Sequence, residues 1–289
     1  MNVKKLAIPL FVALAYGPAQ GLAVPILGLE LASFAVLSSS TLTNVPTSTV
    51  VGNVGVWSSG GANAITGFNS SPGVAVSDPQ VTGGQVHAGT TLAQSAQGQL
   101  TNAITSLGLM GTGTTLANFD LSGLTLTPGV YTVPAGPSNL TGTLTLDGQN
   151  NANAAWVFQM PSTLITSPGS AVNVINTGSG AGVFWDVRSS ATIDTTTSFQ
   201  GNILALADIT LNTGATIGCG GALANTGQVT MAMNTIGIGC GGGLTVSELG
   251  GTPTFLPFVP VPEPETYAMM LAGLGLLGFI ARRRKQNVA

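Results

Sequence analysis

Charge is what this chain most lacks. Only 6% of its residues are Asp, Glu, Lys or Arg, against roughly 25% in an ordinary globular protein. It has one histidine and two cysteines. So few long charged helix formers argue against a helical bundle. Two thiols with no histidine nearby also make a poor metal site. What fills the space is glycine, 41 residues of it, with Thr, Ser, Asn and small apolar side chains. That composition fits an all-β fold with many turns.

The few charges are unevenly placed. Lys4 and Lys5 precede an apolar run from Leu6 to Tyr16 and a small-residue exit at Gly21-Leu22-Ala23. This reads as a secretory signal peptide over 1–23, cut after Ala23 or alternatively after Ala19. At the other end, Val261-Pro262-Glu263-Pro264-Glu265 leads into an apolar stretch, 267–281, and the basic cluster 282–285. The apolar part is shorter than the ~20 residues of an ordinary membrane span. The cluster behind it stays cytoplasmic by the positive-inside tendency. With Pro262, Glu263 and Pro264, the tail over 262–289 resembles the PEP-CTERM sorting signal of Gram-negative bacteria. That resemblance implies a transient inner-membrane anchor, the secretion machinery and a sorting peptidase (exosortase) as passing partners, and a final place outside the cell or on its surface. A plain membrane anchor is the alternative. The body is then 24–250, with a linker at 251–261.

Without leader and tail, Arg188 is the one remaining Lys or Arg, against Glu30, Asp78, Asp120, Asp147, Asp186, Asp194, Asp208 and Glu248. Nucleic-acid binding depends on Lys and Arg neutralising phosphates, so it is excluded. Polysaccharide-cleaving β-solenoids need clustered carboxylates and a basic group for the substrate. Here Asp186, Asp194 and Asp208 fall on separate turns, and His87 has no nucleophile motif beside it. No catalytic residue, metal or cofactor is expected. Cys219 and Cys240 belong to the exported part, where a disulfide is the default; a free pair is the alternative.

From about residue 155 the chain repeats itself at intervals of about 19 residues. One set of apolar segments is Val157-Phe158-Gln159, Phe184-Trp185-Asp186, Ile203-Leu204-Ala205 and Ala222-Leu223-Ala224. A second is Leu164-Ile165-Thr166, Ala191-Thr192-Ile193, Ile209-Thr210-Leu211 and Val229-Thr230-Met231. A third centres on Val172, Phe199, Ile217 and Ile236. Three strands per coil with Gly, Ser, Thr and Asn turns make a three-sided β-solenoid. Side chains alternate along a strand. The second set therefore points Thr192, Thr210 and Thr230 outward, in a column that begins at Ile165. The third points Ala171, Ser198, Thr216 and Thr235 outward. In the first set, Phe158, Trp185, Leu204 and Leu223 are expected to face out and need cover.

A helix supplies that cover. Leu92, Ala96, Leu100, Ala103 and Leu107 keep helical spacing over about 91–107, with Thr90 or Thr91 as cap. At ~1.5 Å per residue such a helix reaches about 25 Å, similar to five coils at ~4.8 Å. It lies between early strands at Phe34–Leu37 and Val50–Val56 and the later repeats, so the solenoid is discontinuous in sequence. Cys219 and Cys240 would fall on neighbouring rungs, near the ~5.5 Å Cα separation of a disulfide.

Phe34-Ala35-Val36-Leu37, Gly52-Asn53-Val54-Gly55-Val56, Leu124 to Tyr131, Trp156-Val157-Phe158-Gln159 and Gly201-Asn202-Ile203-Leu204-Ala205 together resemble the microbial ice-binding (antifreeze) protein family. The resemblance implies an all-β, discontinuous, three-sided right-handed β-solenoid with one long α-helix along one side. It also implies a monomer that meets an ice surface through one flat face. The family's Thr-Ala/Gly-x-Thr/Asn pattern is matched by Thr213-Gly214-Ala215-Thr216 and loosely by Thr195-Thr196-Thr197-Ser198. The candidate ice-contacting residues are thus Thr192, Thr210 and Thr230 on the second strand, or Thr213, Thr216, Ser198 and Thr235 at and along the third. A structural or adhesive protein of the exterior matrix is the rival reading.

Overall fold

A computed structural model describes residues 26–58, 64–136, 139–178, 180–238 and the short strands at 244–245 and 254–255. The leader, Cys240, Pro262–Pro264, the apolar stretch 267–281 and the basic cluster lie outside the described residues. Three long sheets of ten, eight and six strands form the sides of a β-solenoid. Among the described strands of these sheets every pairing is parallel except that of Ala75–Val76 with Val86–Ala88, which closes one end.

The order of the coils is not the order of the chain. The ten-stranded sheet runs 75–76, 86–88, 53–56, 34–38, 222–224, 202–205, 182–187, 155–160, 129–132, 114–115. The chain therefore starts in mid-stack at Phe34 and climbs to one end at Ala88. It crosses to the other end through the helix Thr91–Gly108, re-enters at Thr114, and coils back. Its last full coil sets Ala222 and Leu223 against Val36 and Leu37. That junction between first and last coils is a seam with no direct chain connection.

The helix is the one the spacing predicts. The Thr90 hydroxyl caps it, accepting from the Ala93 N–H at 3.2 Å, and so satisfies one of the orphan donors of its first turn. His87 Nδ1 lies 3.1 Å from the same hydroxyl, and its ring meets Phe34 edge-on. Ala93, Ala96, Leu100, Ala103, Ile104 and Leu107 are buried against the solenoid. Beneath them lie Val157, Phe184, Leu204, Leu223, Leu37 and Phe34. The small side chains let helix and sheet approach closely. Gly55 serves the same end, since a Cβ there would sit 2.5 Å from the Phe34 ring.

One expectation fails here. Leu204 and Leu223 do face the helix, but Phe158 and Trp185 point into the solenoid core. Trp185, not Phe184, pairs with Ile203, so the repeat is one residue shorter at that rung than the apolar segments imply. A shift of one residue exchanges the two faces of a strand. The reason it was illegible is burial on both sides: all six residues of Gly182–Val187 are buried, so no polar alternation marks the inward face. Inside, Phe158 stacks on Trp185 at 4.1 Å and Trp185 leans on Phe199 at 4.9 Å. The Trp185 indole N–H donates to the Gln200 carbonyl at 3.0 Å, which satisfies its polar atom in the interior.

Candidate functional site

Two solenoid sides remain uncovered by the helix. On the six-stranded side the register places Ile165, Thr192, Thr210, Thr230, Thr43 and Thr66 opposite one another on successive rungs. Apolar neighbours of each threonine (Ile193, Ile209, Leu211, Val229, Met231, Leu42, Ile65) are buried, which forces the threonines outward. Thr43 and Thr66 are exposed; Thr192, Thr210 and Thr230 are half-buried between their neighbours. The column thus gains two members that sequence reasoning missed. Their signal was present as the same apolar-Thr pair, Leu42-Thr43 and Ile65-Thr66. It was hidden because the helix separates them from the recognisable repeats.

The row beside this column runs through Asp194, Asn212, Ala232 and Val45, the last an exposed apolar side chain paired with Ala232. The Asp194 carboxylate accepts from Asn212 Nδ2 at 2.9 Å and from the Thr195 N–H at 2.7 Å. Those bonds, the Asn212 one foremost, hold its pKa below the usual carboxylate value. On the other flank, Asp208 precedes Thr210 by two residues and accepts from the Gln228 N–H at 2.9 Å, so both carboxylates beside the threonines are engaged in hydrogen bonds.

The eight-stranded side carries a second column: Thr143, Ala171, Ser198, Thr216, Thr235 and Thr49. It is less uniform, because Ala171 and Ser198 interrupt it. The neighbouring row passes through Gly218 and Gly237, where missing side chains leave a trough lined by Val51, Gln200, Ile217 and Cys219. The Thr213-Gly214-Ala215-Thr216 match does not form one row. Gly214 takes φ +72°, Ala215 is buried, and the four residues turn the corner between the two sides. Thr213 sits exposed on the corner while Thr216 lies on the third side.

Among the described residues no group of three or more His, Cys, Asp or Glu gathers at one point. Asp186 is buried under the helix, paired to Arg188 at 2.7 Å, and Arg188 also donates to the Ile104 carbonyl at 3.2 Å. Burial lowers the pKa of His87 and favours its neutral form. Both groups secure the helix. What the uncovered sides can do is present ordered hydroxyls and methyls to water.

The profile of the family described as ice-binding-like matches residues 36–237. The chain belongs to that family. The matched span takes in both threonine columns, from Thr43 to Thr235. A separate profile, the PEP-CTERM protein-sorting motif, matches residues 260–285. A relative from Nostoc sp. (strain HG1), named ice-binding protein, is 37% identical over 268 residues, covering 93% of this chain and 90% of its own. Among solved structures, an ice-binding protein of the Antarctic ascomycete Antarctomyces psychrotrophicus is 30% identical with a TM-score of 0.63, over 72% of this chain and 96% of that one. One from an Antarctic biological consortium is 32% identical with a TM-score of 0.63, over 80% and 96%.

Proposed function

We propose that this member of the ice-binding-like family binds ice through its six-stranded side, and so restrains ice growth and recrystallisation outside the cell. The observation that carries this reading is the unbroken register of Thr192, Thr210, Thr230, Thr43 and Thr66. Rungs repeat every ~4.8 Å and alternate residues along a strand lie ~6.8 Å apart, a grid of the scale of spacings on ice surfaces. Threonine's branched Cβ restricts χ1, so hydroxyl and methyl positions vary little from rung to rung. The methyls order adjacent water and the hydroxyls anchor it. A surface already rigid loses little entropy on contact. The eight-stranded side, broken by Ala171, Ser198 and the glycine trough, is the weaker grid.

The PEP-CTERM match supports a secreted or cell-surface place in a Gram-negative bacterium. Within the same reading, residues 1–23 direct export and the tail anchors transiently in the inner membrane. Exosortase then cuts near Pro262-Glu263-Pro264, and the released body acts as a monomer without enzymatic activity. Cys219 is disulfide-bonded, and its pairing with Cys240 belongs to this proposal.

The test is substitution of one face at a time in the mature chain. Thr210→Tyr is expected to abolish ice shaping and recrystallisation inhibition while the circular dichroism spectrum is unchanged; Thr216→Tyr is expected to keep both activities. The reverse pattern transfers the site to the eight-stranded side. A folded wild-type chain that fails to partition into growing ice ends the ice-binding reading and leaves the matrix role.

A further inference from the structure

The seam between first and last coils crosses the proposed ice-contacting column between Thr230 and Thr43. Consecutive rungs elsewhere in the column are joined by a single turn of chain. Across the seam only non-covalent contacts keep the two sets of threonines in one plane. Beneath the corner of the six- and eight-stranded sides, a buried polar chain bridges it.

Asn234, 1% exposed, is its centre. Its Oδ1 accepts from the Ala232 N–H at 2.6 Å. Its Nδ2 donates to the carbonyls of Asn212 at 2.8 Å and Ala215 at 3.0 Å. Its own N–H donates across the seam to Ser48 Oγ at 3.0 Å. Ser48 Oγ donates onward to Asn44 Oδ1 at 2.7 Å, and Asn44 Nδ2 donates to Gln80 Oε1 at 3.0 Å. Ser48 and Asn44 are 2% and 4% exposed. One connected set of bonds thus grips the backbone just beyond Thr210 and Thr230 and the residue next to Thr43. In a dry site such bonds fix geometry, because the alternative is an unsatisfied buried polar group.

We propose that Ser48, which accepts the Asn234 N–H across the seam and donates to Asn44, is the positioning residue that keeps Thr43 and Thr66 coplanar with Thr192, Thr210 and Thr230. The Asn234 side chain holds the turn that presents that N–H. This rests on the reading that the six-stranded side meets ice. Ser48 touches no ice itself; it sets the flatness of the surface that does. On the helix side, Gln97 Nε2 ties the helix to the last coil, donating to the carbonyls of Ala224 at 3.1 Å and Asn225 at 2.6 Å. Gln97 is remote from the threonine column, so it separates holding the fold together from holding the face flat.

The experiment compares Asn234→Ala, Ser48→Ala and Gln97→Ala in the mature chain, at a temperature where each is fully folded by circular dichroism. All three are expected to melt at lower temperature. Ser48→Ala is expected to lose recrystallisation inhibition and thermal hysteresis severalfold, Asn234→Ala, which keeps the backbone N–H that crosses the seam, to lose part of both, and Gln97→Ala to match the wild type. Equal losses in Gln97→Ala and Ser48→Ala would reduce Ser48 to a general stabiliser and overturn the proposal. Should Ser48→Ala fail to fold, Asn234→Ala against Gln97→Ala decides in the same way. Thr210→Tyr runs in parallel. If it stays active, the underlying reading falls and this one with it; if it is inactive while Asn234→Ala and Ser48→Ala keep full activity, only the positioning role falls.

Discussion

Thr230 stands directly opposite Thr43, although one belongs to the last complete coil and the other to the first. The proposed ice-contacting column is assembled from both halves of the chain, so on that proposal residues far from the recognisable repeats bear on function. Thr43 is exposed and its strand neighbours Leu42 and Asn44 are buried. Thr43→Tyr therefore adds a ring above the plane without touching the core, a change expected to alter stability by no more than about 0.5 kcal/mol. It is expected to cut recrystallisation inhibition severalfold. A fully active Thr43→Tyr would confine the site to the later coils.

The neighbours Phe184 and Trp185 divide the labour between helix and core, and truncating each should show it. Trp185→Ala opens a void between Phe158 and Phe199 and is expected to cost about 3–5 kcal/mol, read from the denaturant midpoint. Phe184→Ala removes a side chain from under the helix. It is expected to speed hydrogen exchange across Thr91–Gly108 more than in the strands around Ile203. Faster exchange of the helix in Trp185→Ala than in Phe184→Ala would contradict the register.

Those two residues also mark where the sequence stops being readable. The three-sided coil, the helix and the outward threonines at Thr192, Thr210, Thr216 and Thr230 all follow from alternation, because one face of each strand is wet. Phe184-Trp185-Asp186 does not, since both faces of that strand are buried and even Asp186 points under the helix. Leu204 and Leu223 are placed correctly although both faces of their strands are buried too, because the 19-residue spacing holds between them. Thr43 and Thr66 escape for another reason: stacking order is set by which coil meets which, and nothing local announces that the first coil closes on the last. Asn234 likewise looks like a turn residue until the register sets it beside Ser48.

Asp186 gives the protein an unusual response to acid. Burial raises its pKa, and the charge of Arg188 and its hydrogen bond offset this only in part. A carboxyl raised in the folded state takes its proton there before it does in the unfolded chain. Stability is then gained as pH falls from the raised value toward the ordinary 3.8. Asp194 and Asp147 are shifted the other way by hydrogen bonds from Asn212 and Gln149 respectively. Their contribution is present above the ordinary value and is lost as pH falls through their depressed ones. Asp186→Asn removes only the first effect. The wild-type denaturant midpoint is expected to gain on that of Asp186→Asn as pH is lowered from neutral toward 3.8. A wild-type midpoint that stays constant or falls relative to that of Asp186→Asn over that range would show that Asp186 is not desolvated.

The last prediction concerns the disulfide proposed between Cys219 and Cys240, the two cysteines of the chain. Pairing with Cys240 closes a loop of about 20 residues, for which the chain-entropy model gives roughly 3 kcal/mol of stabilisation. The loop holds Thr230 and Asn234, so the bond tethers the strand that faces the seam. Cys240→Ser is expected to lower stability by about that amount, measured by denaturant unfolding, and dithiothreitol should do the same to the wild type. Ice activity is measured near the freezing point, far below the melting transition, and the threonine register does not depend on the sulfur atoms. The variant is therefore expected to keep its recrystallisation inhibition while losing heat resistance. Peptide mapping without reductant settles the pairing: two free thiols in the exported protein would sink it, and an unchanged unfolding midpoint in Cys240→Ser would remove its structural role.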